Sequence, residues 1–132
     1  MINAKELRIG NLVKDHLGRI QTVAEVRHDA YICYLRNGAK LKYKLNTTQP
    51  IPLTEEWLLK FSFERFLQET KFKLYFNKNK DSYYASISVS LHSDFYRVNV
   101  INQEITKVQY VHQLQNLYFC LCGEELEIKN TL

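Results

Sequence analysis

Glycine and proline are scarce in this chain: four Gly and two Pro in 132 residues. With so few points where the backbone can hinge, a disordered, low-complexity or linker-rich protein is excluded. Cysteine is also sparse. The three present, Cys33, Cys120 and Cys122, are odd in number and suggest no disulfide framework. On a helix, Cys120 and Cys122 would point about 200° apart, a poor arrangement for holding one metal ion. No apolar run approaches the roughly 20 residues of a membrane span, and Met1-Ile2-Asn3-Ala4-Lys5-Glu6 lacks the apolar core of a signal peptide. The reading is a cytoplasmic protein with no membrane partner. Charge of one sign is lacking too. The 18 basic and 14 acidic residues leave +4, a mild excess beside the clustered surplus of many dedicated nucleic-acid binders.

Catalytic chemistry is absent in the same way. His16, His28, His92 and His112 stand alone, none in an H-x-x-x-H or C-x-x-C setting. Gly10, Gly18, Gly38 and Gly123 are too far apart in sequence for a phosphate cradle. His92-Ser93-Asp94 contains three suggestive residue types, but neighbours in one turn do not form a triad. Glu55-Glu56 suits a helix start, and Glu124-Glu125 a solvated surface. No enzyme, no metal and no cofactor are expected.

Aromatic rings are plentiful: nine Tyr, seven Phe and one Trp. They supply large buried areas, so a chain this short can build a packed core. Residues 7–45 read as short strands with tight turns. Leu12 and Val13 open one, and Arg19 to Arg27 continues as another, with Ile20, Thr22, Ala24 and Val26 facing one way. Tyr31 to Arg36 and Ala39 to Leu45 flank Asn37-Gly38, a strong hairpin signal. A two-residue turn there pairs Tyr34 with Leu41 and Ile32 with Tyr43. An SH3-like small barrel or bent meander follows.

Pro50 and Pro52 mark a connector, and Thr54 an N-cap for a helix ending near Phe61 or Ser62, with Trp57, Leu58 and Phe61 buried. Residues 71–76, 82–91 and 95–100 alternate apolar and polar, the period of antiparallel strands with one wet face. Ile105 to Gln109 reads as a fourth strand, and Leu126 and Ile128 as a short terminal one. Val111, Leu114, Leu117, Tyr118 and Leu121 share one helical face over residues 110–122, and Gly123 fits the left-handed position past its end. The expected class is α+β: a β-rich unit over residues 1–50, then residues 51–132 as an antiparallel sheet covered by a C-terminal helix.

Three blocks carry a resemblance: Glu6-Leu7-Arg8-Ile9-Gly10-Asn11, the run Ile51-Pro52-Leu53-Thr54-Glu55-Glu56-Trp57-Leu58-Leu59-Lys60-Phe61, and Tyr110 to Phe119 with Gly123-Glu124-Glu125-Leu126. In this order they resemble a family of short uncharacterised proteins of Bacteroidetes genomes, phages and mobile elements. The resemblance implies a bacterial or phage setting and brings no activity and no catalytic residue. The chain departs from that pattern at Ser62, where glycine is common, and at Cys120-Leu121-Cys122, where Ala-Leu-Thr is common.

Three faces are candidates for binding. Lys40, Lys42 and Lys44 recur at period two, about 7 Å apart, which approximates the spacing of phosphates along a strand. Lysines on an outer strand also deter edge-to-edge pairing. The second sheet presents Tyr75, Tyr84, Phe95 and Arg97, with Lys71 and Lys73, around serines; rings beside cations can stack bases and hold phosphates, or the rings can pack inside the protein. On the C-terminal helix, His112, Gln115 and Phe119 fall within about 60° of one another beside the apolar stripe. They could meet a protein partner, or serve the protein's own loops. The expectation is a non-catalytic module, a small phage or mobile-element accessory protein that docks on another protein. The alternative is a nucleic-acid binder using the lysines and the sheet face.

Overall fold

A computed structural model describes residues 2–34, 39–66, 68–75, 86–92, 95–100 and 103–128, with backbone alone at 34, 66, 68–70, 75, 86 and 92. The elements in chain order are β1 (Leu12–Lys14), β2 (Ile20–Thr22), β3 (Glu25–Val26), β4 (Ala30–Tyr34), β5 (Lys40–Lys44), α1 (Glu55–Lys60), β6 (Glu64–Phe66), β7 (Gln68–Tyr75), β8 (Ser86–His92), β9 (Phe95–Val100), β10 (Gln103–Val108) and α2 (Val111–Cys122). The class is α+β, every strand pairing is antiparallel, and the described strands form no closed barrel. No helix among the described residues is long and apolar enough to cross a membrane.

The chain divides into two compact units, Met1–Pro52 with Tyr110–Glu125, and Leu53–Gln109 with Leu126–Leu132. The first division falls within the expected connector. The second does not follow from a boundary at residue 50, because α2 belongs to the N-terminal unit rather than to residues 51–132. The reason is polar as well as apolar. Asn116 donates to the Glu6 carbonyl at 2.7 Å, and Gln115 accepts from the Leu12 N–H at 2.9 Å. Backbone groups of Glu6 and Leu12 are thereby satisfied by side chains of the helix.

In the N-terminal unit β1 pairs with β2, and β3, β4 and β5 form a bent three-stranded meander. Its core is built from Ile2, Leu7, Val13, Val23, Tyr31, Cys33 and Leu45. Two expectations are corrected here. The run from Arg19 to Arg27 is not one strand. Val23 bonds to Asn11 and Ala24 to Ile32, so the chain changes partners between β2 and β3. Val23 is consequently buried, and Ile20 and Thr22 are exposed. The β4–β5 register is also shifted by one, with Tyr31 opposite Tyr43, Ile32 opposite Lys42 and Cys33 opposite Leu41. A one-residue slip exchanges the faces of a strand. Tyr31 and Cys33 therefore point into the core, where Tyr31 stacks on Tyr43 with ring centres 5.3 Å apart. The Asn37-Gly38 turn itself lies outside the described residues.

In the other unit α1 starts as expected, Thr54 accepting from the Trp57 N–H, and buries Leu58 and Phe61. It ends in a Schellman arrangement. The Phe63 N–H reaches the Leu58 carbonyl and the Ser62 N–H reaches Leu59, both at 3.0 Å. This places Ser62 at φ 75°, in the left-handed region where glycine carries no steric penalty. Strands β6 to β10 follow as a five-stranded meander. The period-two reading holds: Phe72, Ile87, Val89, Tyr96 and Val98 are buried on one face. Strand β6 was not anticipated, and the described residues 124–128 form no strand. Arg65, paired in register with buried Phe72, makes an ion pair with Glu55. That ties α1 to the apolar side of the sheet.

Candidate binding faces

The polar side of the five-stranded sheet is defined by its register. Lys71 lies opposite Ser90, Ser90 opposite Arg97, and Arg97 opposite Lys107. One row across β7, β8, β9 and β10 thus holds three cations and a hydroxyl, each strand about 4.8 Å from the next. The adjoining row is Glu64, Lys73, Ser88, Asn99 and Glu104. Lys71 and Lys107 are exposed; Lys73, Ser88, Ser90, Arg97 and Asn99 are half-buried. Glu104 sits 3.6 Å from the Arg97 guanidinium, so it orients that group and offsets part of its charge.

Phe95 is half-buried on the same side, with the Lys107 ammonium 4.9 Å from its ring centre. A cation held over a ring in this way puts an aromatic surface and a charge side by side. Tyr75 is placed in β7 by its backbone opposite Ser86; Tyr84 lies outside the described residues. Lys107 escaped the sequence reading. Its place depends on a register shift between Glu104 and Thr106 that turns it onto the face of Arg97, and no residue pattern announces such a bulge.

The three lysines of β5 are all exposed, as the alternation requires, but their settings differ. Lys40 meets Glu25 at 3.2 Å, which holds the Glu25 carboxyl below its ordinary range. Lys44 lines a cleft with Glu6 and Asp29. They are not a uniform rail. The strand is the edge of its sheet, where lysine also discourages unwanted pairing.

On α2 the expected trio separates. Phe119 is 39% exposed, with the Arg8 guanidinium 4.2 Å from its ring centre. Glu125 holds that guanidinium from the other side, one of the two bonds measuring 3.0 Å. Gln115 is buried and spent on backbone, accepting from Leu12 N–H and donating to the Gly10 carbonyl at 3.2 Å. His112 is 1% exposed, its Nε2 3.5 Å from a Glu6 carboxylate oxygen. Burial pushes its pKa down from the usual histidine range, and the charge of Glu6 opposes that shift. Both residues are buried, so of the two uses expected for them the one that serves the protein's own chain holds, and they leave the list of outward binding candidates. Sequence spacing gave the shared face, but not which edge of that face would be covered.

Among the described residues no group of histidine, cysteine and carboxylate side chains converges to hold a metal ion. The most polar buried group is Asp15, whose carboxylate accepts from the N–H groups of Leu17 and Arg19, from Arg19 Nε and from Gln21 Nε2, at 2.9 to 3.0 Å. Burial alone would raise its pKa; the hydrogen bonds from Arg19, Gln21 and Leu17 outweigh it and hold the group at about 2. It closes the β1–β2 turn and is a structural anion. Compared with protein-family models, curated proteins and solved structures, the chain matches none.

Proposed function

We propose that this chain is a non-catalytic binding protein whose five-stranded sheet takes single-stranded nucleic acid. The observation that carries the reading is the register placing Lys71, Ser90, Arg97 and Lys107 in one row beside Phe95. Phosphates need cations spaced along a groove, and bases need a ring to stack on; base–aromatic stacking contributes about 1–3 kcal/mol per base. The Ser90 hydroxyl between Lys71 and Arg97 adds a neutral donor without crowding. The accessory role in a bacterial or phage setting is part of this reading.

Fluorescence anisotropy of a labelled oligonucleotide, titrated at two salt concentrations, tests it. Binding at low salt that weakens steeply as salt rises is expected, and Arg97→Ala should weaken it further. No binding at low salt overturns the reading.

A second reading, docking on a protein, is favoured by exposed Phe119 and Leu121 near the end of α2, at 39% and 41%. If it holds, a Phe119→Lys bait loses a partner that the unaltered chain retains, while oligonucleotide binding stays the same.

A further inference from the structure

The N-terminal unit has an open cleft of about 650 Å³, within the size range of small-molecule sites. Its lining is mixed: Ile2, Ala4 and Leu45 supply the apolar part, of which Ile2 and Leu45 belong to the buried core, and Asn3, His28 and Asn46 add neutral polar groups. Its rim carries both signs of charge: Glu6 and Asp29 as carboxylates, Lys44 as an ammonium.

Three separate stretches of chain contribute charged residues to the cleft, and hydrogen bonds to their main chain fix them. The turn bearing Asp29 is closed by Arg27 N–H to the Ala30 carbonyl at 2.8 Å. Leu45 N–H donates to the Asp29 carbonyl at 2.9 Å, which pins the Lys44 end of β5 to the same turn. Asn116 of α2 holds the Glu6 carbonyl at 2.7 Å. The cleft is therefore built before any ligand arrives.

Within this frame the charges are not spent on one another. Glu6 faces the buried His112 ring. Lys44 and Asp29 border the same cleft, and no ion pair within 4 Å joins them among the described residues. Unlike charges that share a concave wall without neutralising each other leave one donor point and one acceptor point open together. A molecule with a single charge satisfies one of them. A molecule with an ammonium, a carboxylate and an aliphatic body satisfies both and covers the apolar part of the lining.

We infer that this cleft binds a small zwitterion with an aliphatic side chain, an α-amino acid in chemical class, its carboxylate on Lys44 and its ammonium on Asp29. The site lies in a different unit from the sheet face, so the two readings stand or fall separately.

The test is a titration of the isotope-labelled full chain, followed by amide resonances, with leucine, isoamylamine and isocaproate as probes. Leucine should move the resonances of residues 28–29 and 44–46 and leave those of β7 to β9 in place. Isoamylamine and isocaproate, each lacking one charge, should bind at least about tenfold more weakly. Lys44→Met and Asp29→Asn replace exposed side chains, and each should weaken leucine by a similar factor; the spread of resonances in the free variants reports that they fold. No movement at millimolar leucine overturns the proposal, as does isocaproate or isoamylamine binding as well as leucine. Indifference of leucine binding to both substitutions overturns it equally. An oligonucleotide added to the same sample reads β7 to β9 instead, so failure of one reading is distinguishable from failure of the other.

Discussion

The side-chain amide of Gln115 serves the backbone of Leu12 as a neighbouring strand would. Its oxygen accepts from the Leu12 N–H at 2.9 Å, and its nitrogen donates to the Gly10 carbonyl at 3.2 Å. Both ends of one helical side chain are thus used to complete the edge of β1. Beside it, the Asn11 side chain donates to Asn116 at 2.7 Å and accepts from the Arg8 N–H.

Gln115→Leu keeps the volume and removes both bonds, leaving a buried donor and a carbonyl without partners. A buried polar group stranded in this way costs about 1–3 kcal/mol. The variant is expected to lose about 2–4 kcal/mol of stability in urea unfolding, with little change in the far-ultraviolet signal of the folded state.

Ser62 holds a left-handed backbone at φ 75° because the Schellman end of α1 requires it. Ser62→Gly removes the steric penalty of the side chain, less the extra entropy of glycine in the unfolded chain. The substitution is expected to stabilise the protein by about 1 kcal/mol, seen as a rise of about 3–5 °C in thermal midpoint.

Acid should act through Asp15. Its folded-state pKa of about 2 lies below the ordinary 3.8, so the unfolded chain takes up the proton first as pH falls. The stabilisation is complete above about pH 4 and is lost as pH drops towards 2. Asp15→Asn is expected to be less stable at pH 7 by about 1–3 kcal/mol. The gap from the unaltered chain should close between pH 4 and pH 2 in chemical denaturation.

The sheet face makes a paired prediction. Lys107→Ala should lower the salt dependence of oligonucleotide binding by about one phosphate contact. Phe95→Ala should weaken binding by about 1–3 kcal/mol while leaving the salt slope nearly unchanged. Equal effects of the two substitutions on the slope would contradict separate roles for charge and ring.

Much of the fold was legible because it rests on short-range rules. The alternation through Phe72, Ile87, Val89, Tyr96 and Val98 gave the buried face of the large sheet. Thr54 gave the start of α1, and Gly123, at φ 74°, the end of α2. What failed depended on partners distant in sequence. The β4–β5 register is shifted by one and buries Tyr31 and Cys33, a choice of face that alternation alone did not decide. Lys107 joined the cationic row only through a bulge. For His112 and Gln115 the sequence left two uses open, a partner or the protein's own loops, and residues 6–12, distant in sequence, take the second.

Because α2 comes after the whole of residues 53–109 yet completes the unit begun at the N-terminus, synthesis imposes an order. The ribosome must finish the inserted sheet before the opening strands meet the side chains that satisfy them. A product ending ahead of Tyr110 would leave the Glu6 and Gly10 carbonyls and the Leu12 N–H without the side chains that meet them, a target for proteases and chaperones.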